Sequence, residues 1–322
     1  MARERVSTMR AGAWLTVKQH SFEFGVVALA ASALSVAMVL VTVHFASVGL
    51  PAACLAASLS TAQPQGGCSG LLQQFGRINE DEASRLFAAT AIFPFASGLI
   101  LGLPIVGREL ENRTVQTAWW LEPSRTRWLS RQLVAPTVLL LFAAGAVGAT
   151  AYLLQTSREG YSPATAETLA LFGWPVLARA FAALGIGLFA GALLGRILPS
   201  LIVGSAICFL VLAAGSTAQA QWMHAQVAPV PADAIWHGHS YGVAFVDDSG
   251  RTYSEPAAVA LAPTDGGNPY DWLAAHGYRE IDIGVSDAVA LQWIPYEVGV
   301  YTLAGTAALV AAFVTVTRRR TT

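Results

Sequence analysis

The chain has 322 residues, of which 54% are hydrophobic and 12% charged, with a formal net charge of -1. Charged residues at about half their usual share exclude an ordinary globular protein and predict an all-α polytopic membrane protein. The near-neutral balance excludes a nucleic-acid partner, which needs a basic face to neutralise phosphates.

The opening residues predict a helix lying in the headgroup region. Met9, Ala13, Trp14 and Val17 recur at helical spacing, while Arg10, Lys18 and Gln19 take the other face. A crossing helix needs about twenty mostly apolar residues. Six segments supply them, at about 24–43, 86–106, 133–154, 174–194, 198–217 and 296–316. The first run is too long for a cleavable leader and no small-residue cleavage site precedes Pro51, so it is expected to remain as a span.

Residues 50–85 read as an extracellular loop rich in Gly, Pro and Ser that carries Cys54 and Cys68. An oxidising exterior would let the two pair. Closing a loop of about fifteen residues would restrict the unfolded chain by roughly 3 kcal/mol. Two free thiols are the alternative, and zinc lacks further ligands at finger spacing. Cys208, inside a span, reads as a small core residue.

Between the second and third spans lies a connector, 107–132, that holds Arg108, Glu109, Glu111, Arg113, Glu122, Arg125, Arg127 and Arg131. Val115, Ala118 and Trp119 share one helical face before Pro123 breaks the helix ahead of Ser124, Arg125 and Trp128. A short amphipathic helix flanked by ions suits a lever that registers on a cytoplasmic partner. It equally suits an interfacial helix that joins two spans.

Gly98 and Gly102 in the second span, and Gly187, Gly191 and Gly195 in the fourth, recur every four residues and mark faces where backbones can approach closely. The sequence leaves open whether those faces pack within one chain or between two. Arg179 lies about one turn inside the fourth span, where a charge must snorkel outward or face a polar cavity; it is a functional candidate, and its place near the helix start leads us to expect snorkelling.

The segment 218–293 is too long for a simple loop and predicts a small extracellular α+β lobe. Tyr241, Val243 and Phe245 alternate ahead of a turn at Asp247, Asp248, Ser249 and Gly250, and Arg251, Thr252 and Tyr253 return. Residues 270–276 predict a short helix stopped by Gly277, and Ile281, Ile283 and Val285 a further strand. His237 and His239 lack an assignable third ligand, and Asp247 with Asp248 lacks the calcium-loop spacing, so no metal site is expected.

Positive charge sets the orientation. Arg3, Arg5, Arg10 and Lys18 precede the first span, five arginines lie in the connector, Arg196 follows the fourth span, and Arg318, Arg319 and Arg320 follow the sixth. Six crossings put all of these on one side, so both termini are expected in the cytoplasm of a multi-pass protein.

No phosphate-binding loop exists, because the only lysine, Lys18, stands in VKQH. A GxSxG elbow and an HExxH helix are also missing from the sequence. The chain is expected to catalyse nothing and to hold no cofactor. Active transport would need a separate ATPase, and the connector is the only cytoplasmic segment long enough to meet one.

The connector also resembles that of the permeases of the type-2 ATP-binding-cassette (ABC) exporters, in particular their actinobacterial branch. The likeness is carried by Gly102, Leu103 and Pro104; by Arg108, Glu109, Glu111 and Thr114; by Ala118 and Trp119; and by Ser124, Arg125, Arg127, Trp128 and Leu129. The entry stretch WLTVKQH and the QWIPYE stretch ahead of the last span are similar to the family's as well. Asn112 with Arg113, and Glu122 with Pro123, depart from it. The resemblance implies a permease in the bacterial plasma membrane that pairs with a second copy or a related permease. It implies two cytoplasmic ABC ATPase subunits, which bind ATP and Mg and engage a coupling helix in this connector. Arg108, Glu109, Glu111, Thr114, Trp119, Ser124 and Arg125 would carry the coupling, and drugs, lipids or peptides would be the exported substrates. A membrane-anchored sensor with a ligand-binding lobe is the alternative. A lipid enzyme acting at Glu80, Asp81 and Glu82 or at His237 and His239 lacks any catalytic pairing.

Overall fold

The computed structural model describes residues 18–51, 54, 68–112, 114, 119, 124–158, 166–229, 238–263 and 268–319. The entry helix expected at Met9 to Val17, the connector positions Val115, Ala118 and Pro123, and His237 lie outside the described residues.

In chain order the helices are α1 (Ser21–Val48), α2 (Cys68–Glu111), α3 (Arg125–Arg158), α4 (Ala166–Leu169), α5 (Trp174–Leu194) and α6 (Ile197–Ala225). The strands β1 (Ala228–Pro229), β2 (Gly238–Val246) and β3 (Thr252–Ser254) follow, then α7 (Glu255–Val259) and α8 (Pro269–Ala275). Strand β4 (Arg279–Ser286), α9 (Asp287–Ala290) and α10 (Trp293–Arg318) close the order. Among the described residues six helices are long and apolar enough to cross a membrane: α1, α2, α3, α5, α6 and the helix that ends at Arg318.

The second of these begins far earlier than hydropathy indicates. Residues 68–85 are helical rather than loop, because the polar stretch Ile78–Ala83 continues the helix as a π-helical segment. There the N–H of Ser84 donates to the carbonyl of Asn79, five residues back. Polar side chains at this level find partners. Arg158 donates to Asn79 at 2.5 Å and lies over the Phe87 ring, and His44 Nδ1 stands 3.3 Å from Glu82 Oε2. At the start of α2, Cys68 is joined to Cys54 by the disulfide that the sequence predicts.

The chain divides into two compact units. In the first, α5 is the central helix, buried along most of its length, whereas α6 and α10 keep most of their apolar surface outward. Close approach explains the position of α5. A Cβ built on Gly98 would meet Ala183, and one on Gly102 would fall 2.5 Å from the Leu184 carbonyl. One on Gly191 would lie 2.6 Å from the Leu103 carbonyl, and Gly187 faces Leu99 and Leu103. These glycines let α2 and α5 run side by side within the chain. Gly195 differs from the other four: it is the left-handed residue (φ 65°) that ends α5, and its N–H donates to the Gly191 carbonyl. Gly185, in turn, lies against Gly305 of α10, with a built Cβ 2.6 Å from the Gly305 carbonyl.

The second unit, Pro163–Leu169 with Gly215–Ile294, contains a four-stranded antiparallel sheet in the order β1-β4-β2-β3. Strands β2 and β3 form the hairpin that alternation and the Asp-Asp-Ser-Gly turn predict, with Phe245 opposite Tyr253. The other neighbour of β2 is β4, and the register slips between Ser240 and Gly242, where Gly242 takes φ 145° and a bulge re-aims the strand. Phe245, Ala258 and Leu273 form the buried centre of one side, ringed by Val243, Tyr253, Trp272 and Tyr278. Met223, Val285 and Ala290 form another.

Candidate functional site

The charged connector meets the bundle where helix ends gather. Helices α2, α5 and α10 run parallel, as the approaches of Gly98 to Ala183 and Gly107 to Gly191, and of Gly185 to Gly305 and Ala192 to Arg319, show. Their C-terminal carbonyls, which have no partner within a helix, and the negative ends of their dipoles therefore collect at one end of the spans. The N-termini of α1, α3 and α6 arrive at the same end. Arginines and glutamates of the connector sit among these termini.

Arg125, the first residue of α3, holds the end of α10. Its Nη1 donates to the carbonyls of Val316, Thr317 and Arg319 at 3.3, 3.1 and 2.6 Å. Its guanidinium also lies over the Trp119 ring, 4.2 Å from the centroid, and Trp119 meets Trp128 edge to face. Arg319 repeats the device one helix over, donating to Ala192 O near the end of α5 at 2.6 Å. Glu111 does the opposite job at an N-terminus: its Oε2 accepts the N–H of Ile197, the first residue of α6, at 3.0 Å. Ser200 then donates to the Ala190 carbonyl and pins the α5–α6 turn.

Arg108 and Glu109 face the start of α1. Arg108 donates to Glu23 at 3.2 Å, and Gln19 donates to Glu109 at 3.3 Å. Thr114 closes this group with a hydrogen bond to the Glu109 carboxylate. His20 is buried beside them, its Nδ1 4.0 Å from Glu23 Oε2. Burial pushes the His20 imidazole below its ordinary pKa; Glu23 opposes that shift and Arg108 adds to it. Ser124, just before α3, hydrogen-bonds Thr126 and accepts the N–H of Arg127 in its first turn. The connector thus touches α1, α6 and α10 through Arg108, Glu109, Glu111 and Arg125. Gln19, Glu23 and Arg319 were missing from the sequence-based set because each is an ordinary polar residue until its partner is known.

Arg179 does not snorkel. It is buried, and its guanidinium pairs with Glu297 of α10, Nε at 2.7 Å and Nη2 at 2.5 Å from the same Oε1. The guanidinium also stands 5.7 Å from the Tyr301 ring centroid. The pair is the alternative to snorkelling that hydrocarbon permits, a charge neutralised inside the protein. Its second partner was visible only as the acid of QWIPYE.

In the lobe, the oxygens of Asp247 are taken up by its own turn: Oδ1 accepts from the N–H groups of Ser249 and Arg251 and from the Ser249 hydroxyl, and Oδ2 from Tyr253. Among the described residues no group of three or more His, Cys, Asp or Glu is placed to hold a metal ion.

No curated protein and no solved structure matches the chain. The model of one family, ABC-2 membrane transporter related, matches residues 24–220, which takes in the first five spans and the whole connector. With six apolar spans and a connector that ties their ends together, the chain belongs to the ABC-2 membrane transporter related family and is a permease component of an ABC transporter, a multi-pass membrane protein.

Proposed function

We propose that the chain is the membrane subunit of an exporter driven by two cytoplasmic ATPase subunits, which bind ATP and Mg and act on the 107–132 connector. The observation that carries this reading is the grip of that connector on other spans: Glu111 holds the start of α6 and Arg125 the end of α10. A partner that displaces the connector displaces both spans with it. The family supports ATPase partnership in general, and the likeness of the connector and of the entry stretch favours the actinobacterial branch.

The arginines at the connector end favour a cytoplasmic position for that end by the positive-inside rule. The Cys54–Cys68 disulfide beyond the other end of α1 agrees with an oxidising exterior on that side. The transport unit pairs two permeases, identical or related. Its cargo is a drug-like molecule, lipid or peptide, moved outward when ATP closes the ATPases and the helices part.

The test is ATP hydrolysis by the complex reconstituted in lipid. Arg108→Ala and Glu109→Ala, which cut the ties to Glu23 and Gln19, are expected to lower permease-dependent stimulation of hydrolysis while the chain still inserts. Stimulation unchanged in both variants would sink the coupling role.

A further inference from the structure

A connector that couples to ATP hydrolysis, as proposed above, must act on the far end of the spans, about 30 Å away along a 21-residue helix such as α5. Two spans are tied together over that whole distance. At the connector end Arg319 holds Ala192 O. Midway, the Gly305 carbonyl sits in the space left by Gly185. At the far end Arg179 and Glu297 form a buried ion pair. The buried residues of α10, Glu297, Tyr301, Gly305, Ala312 and Val316, form one stripe at helical spacing. Ala312 and Val316 share a cluster with Leu188 and Ala192 of α5.

We propose that Arg125 is the grip by which the connector moves α10, and that the tied α5–α10 pair carries this movement to the Arg179–Glu297 end. Two carbonyls of the last turn of α10, Val316 and Thr317, and that of Arg319 just past it converge on one Arg125 nitrogen while the same guanidinium rests on Trp119, so connector and helix end cannot move independently without breaking charged hydrogen bonds. Along the helices, the Gly185–Gly305 approach leaves no room for one to slide past the other. At the far end, Arg179 and Glu297 cannot separate by degrees, because each charge must regain water before it leaves its partner. That gives the far end two discrete arrangements, which is what a transmitted movement needs in order to switch it. Arg125 is therefore a positioning residue that acts through α10.

The experiment uses the permease purified with its ATPase subunits, with Cys208→Ser and Tyr296→Cys as a far-end reporter on α10, and reads the maleimide labelling rate with and without ATP and Mg. The reporter is expected to change rate by roughly fivefold or more with nucleotide, the lower end of ordinary allosteric coupling. Arg125→Gln and Glu297→Gln should each abolish that change with the ATPase still bound. The double variant should lose no more than either alone, since both interrupt one path. Arg125→Lys, which keeps the charge but not the planar fork, should lose part of it and serves if Arg125→Gln does not fold. An undiminished response in the Arg125 variants, losses that multiply in the double variant, or an Arg125 variant that merely sheds the ATPase would overturn the proposal. A reporter that ignores nucleotide in the unsubstituted complex, despite stimulated hydrolysis, would overturn it and leave the coupling role standing. Failure of any ATPase to associate before a substitution is made would bring down both.

Discussion

Arg179 and Glu297, 118 positions apart, meet at 2.5 Å within the span bundle, and neither side chain is as much as a tenth exposed. Removing one partner of such a pair leaves a buried charge without compensation, at a cost of about 3–5 kcal/mol. Glu297→Ala and Arg179→Ala should therefore each lower the unfolding temperature in detergent far more than an exposed substitution such as Leu303→Ala. The reversed pair, Arg179→Glu with Glu297→Arg, should recover most of the loss. A reversed pair as unstable as the single variants would assign the effect to packing around Tyr301 instead of to charge.

The glycines of α5 make a second, independent case. A methyl group on Gly191 would lie 2.6 Å from the Leu103 carbonyl and one on Gly185 2.6 Å from that of Gly305, and backbone cannot step aside as a side chain can. Gly191→Ala and Gly185→Ala are expected to cost about 1–3 kcal/mol each through overpacking. Gly145→Ala in α3 has nothing within 4 Å of the new methyl and should be close to neutral or stabilising. Equal unfolding temperatures for all three variants would show that α5 does not need this closeness.

The six spans were legible because a run of apolar residues is a local property, and so was the β2–β3 hairpin, where alternation and the Asp247 to Gly250 turn sit in one short window. What is settled by distant partners was not. Arg179 looked like a snorkelling side chain because Glu297, which holds it, belongs to the last span. Residues 78–83 looked like loop because Asn79, Glu80, Asp81 and Glu82 are polar, although Arg158 and His44 meet two of them from neighbouring helices. Gly195 continued a four-residue period that the helix itself does not, since α5 ends there in a left-handed residue. In the connector the charge was plain, but charge alone could not show that Arg125 and Glu111 spend theirs on helix ends of the same chain.

The disulfide gives the orientation a direct test. Cys54 and Cys68 are 14 positions apart, and closing a loop of that size restricts the unfolded chain by roughly 3 kcal/mol. Reduction should lower the unfolding temperature accordingly. In intact cells, a membrane-impermeant reductant followed by an impermeant maleimide should label both cysteines if that end of α1 faces outward. Labelling only after the membrane is opened would reverse the assigned orientation.

Acid should loosen the lobe at one identified turn. The Ser249 hydroxyl first, then the Arg251 N–H, stabilise the Asp247 carboxylate and hold its pKa below the usual range, with Tyr253 and the Ser249 N–H adding to the effect. A carboxyl group whose folded-state pKa is depressed contributes stability above its unfolded value, about 3.9, and loses it as the pH falls through the folded-state value. The turn should thus be equally protected from neutral pH down to about 4 and open progressively in stronger acid. Asp247→Asn keeps an acceptor for the N–H groups but removes the charge, so its amides at Ser249 and Arg251 should exchange faster than the parent's at pH 7, with no further loss in acid. Hydrogen exchange corrected for intrinsic rates reads both effects. Equal protection of parent and variant at pH 7 would mean that the loop conformation, with Gly250 at φ 82° and its N–H on the Asp247 carbonyl, holds the turn without the carboxylate.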